Sequence, residues 1–122
     1  MAKFIHDDVL DAALNVIKTN ANIMTVCNAQ PTTRAEAITT YALADVAMAT
    51  GDFTLANGDT NGRKITVAAK NGVTVDVTGT ALYVAICDGT RLLLVTTCTS
   101  QVITAGNTIN IPTFDDEIAD PS

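Results

Sequence analysis

Thr80-Ala-Leu-Tyr-Val-Ala-Ile-Cys87, then Asp88-Gly89, then Thr90-Arg-Leu-Leu-Leu-Val-Thr-Thr-Cys98: this stretch decides the fold. Two runs rich in β-branched and apolar residues flank a dipeptide that strongly favours a two-residue hairpin turn. In that register Val84 faces Leu93 and Leu82 faces Val95 on one side, while Tyr83 faces Leu94 and Ala85 faces Leu92 on the other. Both sides are apolar. A strand pair with one face in water alternates apolar and polar, so this hairpin is expected to be central. One face should be covered by a second sheet and the other by a helix or a partner. Cys87 and Cys98 would lie at opposite ends of the pair, roughly 27 Å apart at about 3.3 Å per residue, too far to bond.

Working outward, residues 64–69 and 73–77 read as a second hairpin around Asn71-Gly72. A two-residue loop would mix apolar with polar partners. A three-residue loop, Lys70-Asn71-Gly72, pairs Ile65 with Val77, Val67 with Val75 and Ala69 with Val73, with Gly72 left-handed. Residues 23–27, 43–48, 53–55, 102–103 and 108–111 read as further short strands, separated by Pro, Gly and Asn turns. Thr33-Arg-Ala-Glu36 has capping-box spacing and predicts a helical turn near 34–40. Only the N-terminal stretch reads clearly as helix. Val9, Leu10, Ala13, Leu14 and Ile17 form one stripe, with Asp7, Asp8 and Asp11 at its start and Lys18 at its end. The expected architecture is mainly β: a small β-sandwich or partly open barrel of six to eight strands with one N-terminal amphipathic helix. Residues 1–122 then form one β domain, with an arm and helix over 1–22, a β core over 23–114 and an acidic tail over 115–122.

Composition agrees. The 122 residues are 48% hydrophobic but only 4% aromatic, with no Trp and twenty Thr. A core of aliphatic side chains on a Thr-rich sheet fits those proportions. The net charge is −6, and the seven basic residues are scattered, which argues against nucleic acid and anionic membrane partners. No apolar run is long enough for a membrane helix, and acids stand where a signal peptide needs an apolar core. Cytosolic synthesis is expected. Three cysteines, an odd number, suit a reducing compartment.

No catalytic constellation, cofactor motif or zinc spacing stands out. His6, the only histidine, precedes the helix without a nucleophile or acid partner, so capping or solvent exposure is its expected role. Cys27, Cys87 and Cys98 read as small buried hydrophobes. Asn57, Asp59 and Asn61 before Gly62 match the first half of a calcium loop. Position twelve is Ala68 where a bidentate Glu is needed, so consecutive turns explain the motif better. Asp115, Asp116 and Glu117 suggest a solvated or partner-facing acidic edge rather than paired catalytic carboxylates, which need a cleft and sugar-stacking aromatics. The interaction surfaces expected are therefore the helix stripe (Val9, Leu10, Leu14, Ile17), the second hairpin face (Tyr83, Leu92, Leu94) and these three acids.

Residues 54–59, 62–89, 92–112 and 114–122, with Tyr41–Val46 upstream, resemble small virion proteins encoded among the structural genes of tailed bacteriophages. These are scaffold stretches, not active-site motifs. The resemblance implies a non-enzymatic structural protein made in the host bacterial cytoplasm and carried in the virion. Its partners would be the major capsid protein or other virion proteins. Within that class, capsid decoration by a homo-oligomer such as a trimer is the leading expectation. A neck, tail or fibre-base component, or a receptor- or carbohydrate-binding β module, is the alternative.

Overall fold

The structure, a computed structural model, describes residues 3–121. Helix α1 (Asp7–Asn20) forms where the apolar spacing predicts it. His6 is its N-cap: Nδ1 accepts the Asp8 N–H at 3.0 Å and satisfies a first-turn donor that has no partner within the helix. Leu10 and Leu14 are buried and Ile17 is half-buried, a stripe at spacings of four and three. Val9 and Ala13 fall outside it and are exposed.

Nine strands follow among the described residues: β1 (Ile23–Cys27), β2 (Ala42–Ala47), β3 (Phe53–Asn57), β4 (Arg63–Val67), β5 (Lys70–Thr74), β6 (Gly79–Cys87), β7 (Leu92–Ile103), β8 (Thr108–Ile111) and β9 (Phe114–Ile118). They form antiparallel sheets in the orders β2-β1-β6-β7, β3-β4-β9 and β5-β8. The molecule is mainly β, consistent with a small sandwich and not a closed barrel. One isolated bridge, Ala44 to Val75, joins the first sheet to the third. The main core draws Met24, Leu43 and Ile86 from the first sheet, Phe53, Ile65 and Val67 from the second, Val73 and Ile111 from the third, and Leu14 from α1. The helix packs on β3 and β4. Bidentate Arg63–Asp11 contacts at 2.7 and 3.3 Å fasten it there, as does Lys18 Nζ donating to the Phe53 carbonyl.

Several sequence expectations are corrected. Residues 64–69 and 73–77 do not form a hairpin. β4 lies between β3 and β9, while β5 pairs with β8 in another sheet. That arrangement sets Phe53 and Phe114 on either side of Val67, a larger apolar match than the local hairpin offers. Gly72 does take the left-handed conformation, φ 67°, but at an irregularity within β5, where its N–H donates to Asn110 Oδ1. The segment expected as an acidic tail, 115–122, supplies all of the ninth strand but its first residue, Phe114. Residues 102–103 are the end of β7, not a separate strand.

The β6–β7 hairpin is present, but its register differs from a two-residue turn. Cys87 pairs with Leu92, Ile86 with Leu94, Ala85 with Val95 and Tyr83 with Thr97. Asp88 causes the shift. Its Oδ1 accepts the Thr90 and Arg91 N–H groups and its Oδ2 accepts from Arg91 Nε, building a four-residue loop around a carboxylate. Leu94 consequently packs toward the main core. The other face of the sheet, at Cys27, Ala85 and Cys87, is covered by Ala37, Ile38 and Tyr41 from the turn at Glu36–Thr40. This cover comes from the chain's own turn and not from α1, and it leaves Tyr83, Leu92 and Val95 half-buried. That turn is held much as its spacing suggested: Thr33 Oγ1 accepts the Glu36 N–H, while Glu36 Oε1 reaches back to the N–H and hydroxyl of Thr32.

Candidate functional site

The sheets fail to meet between β7, the free edge of the first sheet, and β8–β9. Two adjoining cavities of about 210 and 460 Å³ open there and share Val84, Cys98, Thr99, Ile111 and Pro112. The chain builds this groove through a bulge. Between the pairs Tyr83–Thr97 and Ala81–Gln101, β7 spends three residues opposite Leu82 alone. The extra backbone at Cys98, Thr99 and Ser100 bends the strand and aims Cys98 and Thr99 at the opening. Phe114 closes one end of the larger cavity, and Gln101 and Asn110 line the smaller one.

The walls are aliphatic carbons, hydroxyls and amides. Burial pushes the Cys98 thiol up from its usual range and keeps it protonated, so it is a poor nucleophile. Burial does the same, more deeply in the structure, to Cys27 and Cys87. All three thiols are free. This groove can take up an apolar side chain and an extended backbone alongside β7. The hairpin reading could not find it, because a regular two-residue register contains no bulge.

The basic side chains are used as internal braces. Lys18 donates to the Thr50 and Phe53 carbonyls and Arg34 to the Asp88 carbonyl. Arg63 pairs with Asp11, Lys64 with Asp59 and Asp115, Lys70 with Asp52, and Arg91 with Asp88. Asp88 is held at about 2, well below the usual carboxylate range, first by the Thr90 N–H and then by Arg91. Lys3 is the one basic residue without such a partner among the described residues.

The residues singled out from sequence are dispersed. Leu10 and Leu14 are buried in the protein's own interior, Ile17 packs against the core, and only Val9 of that stripe, 60% exposed, faces outward. Tyr83 and Leu92 sit half-buried at the rim of the outer cluster, whereas Leu94 is on the opposite face. Asp115, Asp116 and Glu117 remain exposed, but strand alternation puts Asp116 on the face opposite the other two. Glu117 accepts the Asp59 N–H and Asp115 pairs with Lys64. The calcium-loop oxygens diverge. Asn57 Oδ1 accepts from Arg63, Asp59 is paired to Lys64 at 2.8 Å, and Asn61 Oδ1 accepts the Asp120 N–H. Gly62 serves the turn itself: its φ is 72°, and the Ile118 carbonyl occupies the space a Cβ would need. Among the described residues no three His, Cys, Asp or Glu side chains converge as a metal site would require.

Fold and site together define a small, mainly β protein of antiparallel sheets, left open between β7 and β9. No family model matches the chain, and no match is found among curated proteins or solved structures. No helix among the described residues is long and apolar enough to cross a membrane.

Proposed function

We propose that this chain is a structural virion protein of a tailed bacteriophage, bound to the capsid as a decoration subunit that stabilises the head. The observation that carries the reading is how the polar side chains are used. Lys18, Arg34, Arg63, Lys64, Lys70 and Arg91 all brace turns, strands or the helix. Polar chemistry is spent on holding a small rigid module, as befits a subunit that works by presenting surface. Its resemblance to small tailed-phage virion proteins across residues 62–89, 92–112 and 114–122 supports the same reading. The major capsid protein is the partner this reading implies.

Counting copies in purified virions tests it. Decoration requires on the order of hundreds of copies, following the symmetry of the shell, and particles lacking the protein should assemble but lose resistance to heat or chelation. About a dozen copies, the number a neck or tail ring holds, would reject decoration in favour of a connector or tail role.

A further inference from the structure

We infer that the groove beside β7 receives the N-terminal arm of a second copy of this chain, with Phe4 as its anchor. The inference concerns the isolated chain and does not rest on the virion reading.

Three observations converge on that occupant. The first is an arm with nothing to pack against. Phe4 is 82% exposed and Ile5 38%, ahead of the His6 cap, and among the described residues the only aromatic contact of Phe4 is the edge of the His6 ring. An exposed Phe is a large apolar surface to leave in water, on the order of 150–250 Å² once buried.

The second is the groove itself. Apart from the apolar Val26, Ala81 and Val84, its lining comes from a stretch, residues 92–114, that contains no Asp, Glu, Lys, Arg or His. In a chain of net charge −6, this is where a like-charged copy can approach with least repulsion. Among the described residues the outer side of β7 pairs with no strand, and outside its bulge it carries neither charge nor proline to block the edge. Its free backbone groups can bond to an extended arm while the cavity of about 210 Å³ takes one large side chain.

The third is charge complementarity at the end of the groove. Exposed Asp116 lies two residues beyond Phe114, which lines the larger cavity, on the same face of β9. It has no ion-pair partner among the described residues, whereas Asp115 is on the other face and paired to Lys64. Lys3, next to Phe4, is the basic residue left without an internal partner among the described residues. An arm laid along β7 can bring Lys3 toward Asp116. Because arm and groove are different surfaces, the contact is head-to-tail and can close into a ring. One anchor and four residues make a contact well below the roughly 1,200 Å² of standard interfaces, so assembly should depend on concentration in the micromolar range.

The tests use the full chain. In sedimentation or light scattering, the wild type should rise from monomer to a small multiple of it with concentration. Phe4→Ala, at a site already exposed in the monomer, should weaken association at least tenfold. Val9→Ala, an equally exposed apolar truncation on α1, should leave it unchanged. Lys3→Glu should weaken it several-fold at low salt and little at high salt. Phe4→Cys should form an interchain disulfide with Cys98 on mild oxidation, and Phe4→Cys/Cys98→Ser should not. A monomer at every concentration overturns the inference, as does an oligomer indifferent to Phe4→Ala. So does a disulfide closed within one chain, which would mean that the arm fills its own groove. A monomer that still decorates capsids would overturn this inference and leave the virion reading standing.

Discussion

The four-stranded sheet finishes its two edges in opposite ways. At β2, the Leu43 carbonyl accepts the N–H groups of both Asp76 and Val77, Ala44 bridges to Val75, and Asp45 lies beside Asp76. That edge is capped by its own chain and marked with charge. At β7, no strand lies outside the pair, no charge is present, and the bulge at residues 98–100 opens a groove. Exposed edges invite pairing, and proteins ordinarily blunt them. One blunted edge and one open edge in the same sheet teach that β7 is the side through which this protein can extend its own structure.

The two edges are joined through the inner strands β1 and β6, so the most damaging change should strike them together. Ile86→Ala removes a fully buried side chain near the C-terminal end of β6, between Met24 of β1 and Leu94 of β7, and should cost about 2–5 kcal/mol in denaturant unfolding. Hydrogen exchange should show β2 and β7 amides losing protection in parallel. Loss confined to one edge would mean that the two are not one cooperative unit.

A smaller, one-sided effect is expected at the β6–β7 loop. Asp88 lies far below its unfolded value, so its ionised form stabilises the fold. That contribution is complete above the usual carboxylate value near 4 and is lost as pH falls toward about 2. Asp88→Ala should therefore lower Tm at neutral pH, with the gap to wild type closing over that acidic window. Protection should fall mainly in β7. Unchanged β7 exchange would show that the loop carboxylate does not set the hairpin register.

The smallest effect, of opposite sign, belongs to the closed edge. Partial burial, and then the neighbouring Asp76 carboxyl, push the Asp45 carboxyl above its ordinary value. The folded state then holds its proton more tightly than the unfolded chain does. Stability is greatest below the ordinary value and declines as pH rises through the raised one. Asp45→Asn should remove this penalty and stabilise the protein at neutral pH by no more than about 0.5 kcal/mol, with no gain near pH 3. A loss at neutral pH would mean that the acid pair holds the β2–β5 junction rather than straining it.

Local chemistry made much of this fold legible. The α1 stripe, its acidic start and the stop at Asn20 are set by residues within a few positions of one another. The same is true of β1 at Ile23–Cys27 and β8 at Thr108–Ile111, which match the reading of their sequences. His6 could be recognised as a cap for the same reason. The groove was not legible. It depends on three β7 residues facing one β6 residue and on where β8 and β9 come to rest, neither of which leaves a mark in residues 92–103.

By itself, then, the sequence determined the β class, the amphipathic helix, most turn positions and the left-handed conformation of Gly72, because each follows from side chains close along the chain. Tertiary structure alone decided which strands pair. β4 chose β3 and β9 over its neighbour β5 because those strands bring Phe53 and Phe114 to Val67, and the acidic segment became a strand because β4 had a free side. The same holds for the hairpin register. Asp88 bonds to Thr90 and Arg91 over a span of three residues, yet that choice moved Leu94 to the main core and left β7 bulged beside an open groove. Pairing is settled by the total apolar surface a register buries, a sum over distant strands that no local pattern contains.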